Sequence, residues 1–209
     1  MKQYLKFLGE TFIILLIPVI ILTSNTTLMA YRWYFFGLSL FFILWQTIKN
    51  QLTFATFGLN NNNFYSSFKA LILPTILIII FMITTTKIFP PVQLHSLFST
   101  DNFNLSPNLL IISYCLISVP IQELIFRGFY TWRLSRLTKK QNYLVFFSTT
   151  IFTILHFPFG IAMTIGTAIL GYIYVRHFLK YHNLYPIILS HMIIGLINII
   201  IRFNLGKFV

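Results

Sequence analysis

Acidic residues are nearly missing from this chain. Among its 209 residues there are three, Glu10, Asp101 and Glu123, against 15 Lys and Arg, for a formal net charge of +12. Charged side chains of either sign make up 9% of the sequence, where a soluble domain carries about 25%. Cys115 is the single cysteine, which excludes an internal disulfide and any metal site built on several cysteines. No Gly-x-Ser-x-Gly occurs, so a nucleophile elbow is excluded, and no His-Glu-x-x-His places two zinc ligands on one helix. There is no internal repeat, and every loop is too short to hold a second domain.

What the chain has instead is apolar surface. Hydrophobic residues reach 57%, aromatics 18% with 24 Phe, and the mean hydropathy is +0.81. A water-soluble fold of this length cannot hide so much of it. An ordinary soluble domain, a disordered chain and a disulfide scaffold are therefore excluded. The class that remains is all-α: a polytopic transmembrane bundle of about seven helices, with the lipid bilayer as its first partner. The basic excess does not indicate nucleic acid, because the Lys and Arg are scattered between apolar runs and form no basic face. Such residues belong in cytoplasmic loops beside anionic headgroups.

Seven apolar segments are predicted as helices, at about 5–23, 29–48, 68–87, 107–128, 142–157, 160–178 and 185–203. Residues 1–106 form N-terminal helices and loops, and 107–209 a membrane core, within a single membrane domain. The run Thr11 to Thr23 lacks a small-residue cleavage pattern and reads as a retained span. With a cytoplasmic N-terminus, 11 positive residues fall inside and four outside (Arg32, Lys87, Arg202 and Lys207), which favours N-in, C-out and seven crossings. A short interfacial helix is expected in 49–67 or 88–106, and Asn60 to Asn63 is a polar turn signal. The fifth segment ends at His156-Phe157-Pro158-Phe159-Gly160, a helix-breaking run that predicts a tight hairpin between segments five and six. The abundance of Asn, Ile, Lys and Phe points to an AT-rich coding sequence, hence to a bacterial cell membrane.

Against this background a few polar residues stand out. Glu123 sits inside an apolar run, and Arg127 follows four residues later on the same helical face. A charge in a span costs about 2.5–3.5 kcal/mol on insertion scales and is a functional candidate by default. His156 and His191 fall within or at the edge of segments five and seven, whereas His95, His177 and His182 read as loop or helix-end residues in contact with water or headgroups. Asn198 lies seven residues after His191 and shares its face. The bland reading is a buried ion pair plus helix–helix hydrogen bonds. The sharper one is a shared wet cavity holding a carboxylate, a cation and two imidazoles.

That set suits water activation. A carboxylate or imidazole can take a proton from water attacking a peptide carbonyl. A second His and an Asn can donate to the oxyanion that develops. Glu123, His156 and His191 are also a candidate set for a divalent metal such as Zn²⁺, with one position left for water. A third class, a small transporter with Glu123 in a proton relay, is open on the same residues.

Three stretches carry a resemblance: Gln122-Glu123-Leu124-Ile125-Phe126-Arg127, Phe152 to His156, and His191 to Gly195. In this order they resemble the motifs Glu-Glu-x-x-x-Arg, Phe-x-x-x-His and His-x-x-x-Asn/Asp of the CPBP family, the CAAX prenyl protease 2 or Abi intramembrane proteases. That family includes lysostaphin-resistance-like and bacteriocin-immunity members. Gly128 and Ser190 fit the same pattern, and the similarity covers about 100–204. The resemblance implies a catalytic set of Gln122, Glu123, Arg127, His156 and His191, with Asn198 nearby. Its substrate would be a membrane-associated peptide or protein. Two positions depart from the pattern: Gln122 stands where the family has Glu, and Gly195 where it has Asn or Asp. The alternative implied by those departures is a catalytically impaired member acting in bacteriocin immunity, or as a scaffold for an envelope-protein partner.

Overall fold

The computed structural model describes residues 2–11, 13, 32–88 and 107–205, and these contain helices and no strand. The helices are α1 (Lys2–Thr11), α2 (Arg32–Lys49), α3 (Phe64–Ile88), α4 (107–135), α5 (Gln141–Ile154), α6 (Ile161–Tyr181) and α7 (Tyr185–Leu205). Each predicted segment coincides with a helix. The later part of the first segment, the 88–106 stretch beyond Ile88, Asp101 and His95 lie outside the described residues. Among the described residues three stretches are long and apolar enough to cross a membrane: Phe64–Thr85, Ile111–Ser135 and Ile161–Tyr181. Tyr34–Lys49 and Tyr185–Ile201 are shorter apolar helices. On α3, Ile72, Leu73, Ile76, Leu77 and Ile80 are exposed, as a lipid-facing helix requires. Its backbone bonds are made within the helix, except where Pro74 lacks an N–H.

α4 is not a regular α-helix. Two π-helical stretches, Tyr114–Ser118 and Leu124–Tyr130, flank Val119–Glu123. Pro120 has no N–H to give and its ring crowds the carbonyl four residues back, which is a physical reason for the ladder to widen before it. π turns of this kind recur at functional sites. α4 also lies at the centre of the packing: its second π stretch meets α2, α5, α6 and a short turn at Phe54–Phe57, and Val119–Glu123 meets α7. That turn lies between the end of α2 and the start of α3, in the 49–67 stretch where a short helix is expected. It buries Phe57 against Phe129 and Trp132 of α4.

The expected hairpin is present. α5 ends at Ile154, a single 3-10 turn spans Phe157–Phe159, and α6 returns along α5. Gly160 makes the corner with φ 99° and ψ 164°, a region that residues with a Cβ avoid. The Asn-rich turn has become a clamp. Asn60 and Asn63 donate to the carbonyls of His182 and Tyr181, and Asn183 donates to that of Asn62. The α6–α7 turn is thereby fastened to the entry of α3.

One sequence reading is corrected here. His177 is not at a solvated helix end. α6 runs on to Tyr181, and the buried His177 ring places Nε2 2.8 Å from Ser67 Oγ on α3. Since water is excluded there, a helix–helix hydrogen bond is how the ring's polarity is met.

Candidate active site

Glu123 and Arg127 sit one helical turn apart on α4, each with 0% of its side chain exposed. Arg127 Nη1 donates to Glu123 Oε1 at 3.0 Å. The same oxygen receives His191 from α7, whose Nδ1 lies 2.6 Å away. A carboxylate oxygen only accepts, so Nδ1 carries the proton, and Nε2 of His191 is directed away from the pair. One acid therefore fixes a cation on its own helix and an imidazole on another. Glu123 Oε2 and Arg127 Nε and Nη2 have no hydrogen-bond partner among the described residues.

His156 arrives from the end of α5. Its Nδ1 donates to the carbonyl of Phe152 at 2.7 Å, which again leaves the lone pair on Nε2. The helix stops two residues earlier, and the backbone at His156 (φ −103°, ψ −4°) has already left the α-helical range. The broken end is what lets an imidazole sit at the mouth of α5 with its other nitrogen free to act.

Phe152 organises the centre. Fully buried, it carries the Arg127 guanidinium over its face at 4.0 Å. Its centroid is 4.6 Å from that of His156 and 6.0 Å from that of His191. A desolvated cation–π contact of this kind contributes about 2 kcal/mol. Tyr174 of α6 supplies a second aromatic wall, 5.4 Å from Arg127 and 6.1 Å from His191. The Tyr174 hydroxyl donates to Ser190 Oγ at 2.7 Å, and Ser190 is in turn 2.6 Å from Thr75 Oγ1. That chain joins α3, α6 and α7 directly beside His191.

The structure thus brings together Glu123, Arg127 and His191 by direct bonds, and His156 with them through Phe152. The other two expected residues are placed as follows. Gln122 is turned to its own helix, where Nε2 donates to Ser118 Oγ at 2.8 Å. Asn198 lies on α7 about 10 Å beyond His191 along the axis and is half-buried. Glu123, His156 and His191 do not assemble as a metal-binding group: among the described residues no three His, Cys, Asp or Glu side chains are so placed. His191 has committed Nδ1 to the carboxylate, and His156 has committed Nδ1 to a backbone carbonyl.

Sequence reasoning missed the aromatic shell. The spacing of Phe152 and His156 marked both residues, but nothing marked the guanidinium on the ring face. Ser190 was marked by its place before His191, but Tyr174 gave no usable signal among 11 Tyr and 24 Phe.

No curated protein and no solved structure matches the chain. Residues 104–197 match the family model described as Type II CAAX prenyl endopeptidase Rce1-like. Gln122, Glu123, Arg127, His156 and His191 all fall inside the matched stretch, and Asn198 is one residue past its end. Over that stretch, a little under half of its length, the chain is similar to the CPBP/CAAX protease family.

Proposed function

We propose that the chain is an intramembrane endopeptidase that cleaves a membrane-associated peptide or protein with activated water. The observation that carries this reading is the fully buried Glu123 carboxylate, bonded at once to Arg127 and to His191 Nδ1. His156 Nε2 takes a proton from water as the oxygen attacks the peptide carbonyl. The tetrahedral oxyanion is met by His191, whose second proton is balanced by the carboxylate behind it. Collapse of the intermediate returns the proton from His156 to the departing amine, so each atom is accounted for. Arg127 and Phe152 keep Glu123 in place, and Gln122 and Asn198 lie on the helices that carry Glu123 and His191. The N-terminus is cytoplasmic in this reading, and the client is drawn from the bilayer.

The test is cleavage of lipid-anchored fluorogenic peptides by the purified protein, beside His156→Ala. Turnover should fall about 10²–10⁴-fold in the variant, the range of a lost general base. Equal turnover in both proteins would remove His156 from the role given to it.

One observation favours a second reading. Gln122 cannot accept a proton and is engaged with Ser118, which suits a non-catalytic member acting in bacteriocin immunity or as an envelope scaffold. That reading gains the argument if the native protein is inert and Gln122→Glu creates cleavage.

A further inference from the structure

Gly195 lies one helical turn beyond His191 on the same face of α7. No side chain fits there, because the space is taken by another helix. A Cβ built on Gly195 would overlap the hydroxyl and ring edge of Tyr114. Tyr114 comes from the first π-helical turn of α4, nine residues before Glu123, and that turn packs on α7. Its ring stands edge-on to the His191 imidazole, with centroids 6.3 Å apart and planes at 80°.

Two tyrosines therefore reach His191, and their hydroxyls are used differently. Tyr174 gives its proton to Ser190. The Tyr114 hydroxyl has no hydrogen-bond partner among the described residues. The ring is half-buried, so the hydroxyl is open to a partner that the protein itself does not supply. Were the ring only a space-filler over a glycine, phenylalanine would serve in a chain already rich in it.

We propose that the Tyr114 hydroxyl, admitted by the missing side chain at Gly195, donates a hydrogen bond to the carbonyl oxygen of the bound peptide and to the oxyanion it becomes. This rests on the endopeptidase reading above and adds a second donor to His191. The phenol is neutral and keeps its proton throughout, so the step is hydrogen bonding alone. Tyr114 and Gly195 act as an interlocked pair: α7 gives up a side chain, and α4 supplies the donor.

The experiment compares the native protein with Tyr114→Phe, which keeps the ring and removes one oxygen. Cleavage of the lipid-anchored peptides is read first. The kcat of Tyr114→Phe should fall about 10²-fold with KM little changed, the loss expected for one oxyanion donor. Affinity for a panel of lipid-anchored dipeptide phosphinates is read second, beside the matching carboxamides. The phosphinates, which imitate the tetrahedral oxyanion, should bind Tyr114→Phe at least tenfold more weakly, and the carboxamides much less so. A third arm tests the interlock. Gly195→Ala alone should displace the ring and lower phosphinate affinity, while Tyr114→Ala with Gly195→Asn should recover part of it by placing an amide donor on α7.

If the native protein cleaves and Tyr114→Phe cleaves as well, the inference fails and the endopeptidase reading stands. If nothing is cleaved, the endopeptidase reading fails. The phosphinates then decide the inference: no binding, or equal affinity for native and Tyr114→Phe, overturns it.

Discussion

Replacing Arg127 by methionine removes a charge and leaves its partner in place. Glu123 would keep His191 and lose Arg127, with its whole side chain enclosed. Leaving one member of a buried pair uncompensated costs about 3–5 kcal/mol. The guanidinium on the Phe152 face, 4.0 Å from its centroid, adds about 1–2 kcal/mol to the loss. Methionine returns some of this by filling the same volume with polarizable apolar atoms. A net loss of about 4 kcal/mol lowers the midpoint of unfolding by about 8–16 °C in a chain of this size. The companion variant removes both charges, Glu123→Gln with Arg127→Met. The Gln carbonyl still accepts from His191, and no net charge is left in the core, so the double variant should be at least ~2 kcal/mol more stable than Arg127→Met alone. The single cysteine provides the assay. Cys115 lies partly buried on α4, and its rate of reaction with a fluorogenic maleimide during heating in detergent reports the opening of that helix. Additive losses, with the double variant weaker than either single one, would refute the account of Glu123 and Arg127 as a coupled pair.

Two further predictions use the same assay. Ser67→Ala takes away the partner of the buried His177 Nε2, 2.8 Å away; an unpaired buried polar atom costs about 1–3 kcal/mol, and an unchanged midpoint would mean that the α3–α6 contact does not depend on this bond. Gly160→Ala forces a Cβ into the backbone conformation at φ 99°, ψ 164°, which costs about 1–3 kcal/mol; because His156 begins the same turn, cleavage should fall together with stability, and a variant of native stability would show that the corner is not as constrained as its dihedrals imply.

Much of this architecture was legible from apolar run length and from helix breakers. The α5–α6 hairpin follows from Phe157, Pro158 and Gly160, and the Glu123–Arg127 contact follows from four-residue spacing. The convergence of His156 and His191 was legible because a polar group in hydrocarbon needs a partner, and few partners exist in this sequence. The aromatic shell was not legible for the opposite reason: in a chain with 24 Phe and 11 Tyr, one more ring carries no information. The misplacement of His177 has the same root. Run length locates the end of a helix only to within a turn, and one turn separates a headgroup-facing imidazole from one bonded to Ser67. Gln122 shows a further limit. Adjacency to Glu123 says nothing of which way a side chain turns, and a serine one turn earlier takes its amide.

Stability alone does not account for Glu123 and Arg127. Apolar side chains of the same volume would pack between α4, α6 and α7 at no loss, and buried ion pairs are commonly neutral or worse than such replacements. Glu10 and Arg133 show how this chain ties helices with charge when cohesion is all that is needed: their pair sits at the periphery, with 19% and 24% of the side chains exposed. Glu123 is instead enclosed, uses one oxygen for two donors, and thereby fixes the imidazole of a helix distant in sequence with Nδ1 bound and Nε2 directed away. An apolar core could reproduce the packing of α7 but not that orientation. What the buried charges supply is the direction of one nitrogen, and a direction is useful only where something is to be met by it. Glu123→Gln combined with Arg127→Met separates the two contributions: it keeps an acceptor for His191 and leaves no uncompensated charge in the core, yet it removes the negative charge that balances a second proton on the ring, so catalysis should be lost while the unfolding midpoint moves less than in either single variant.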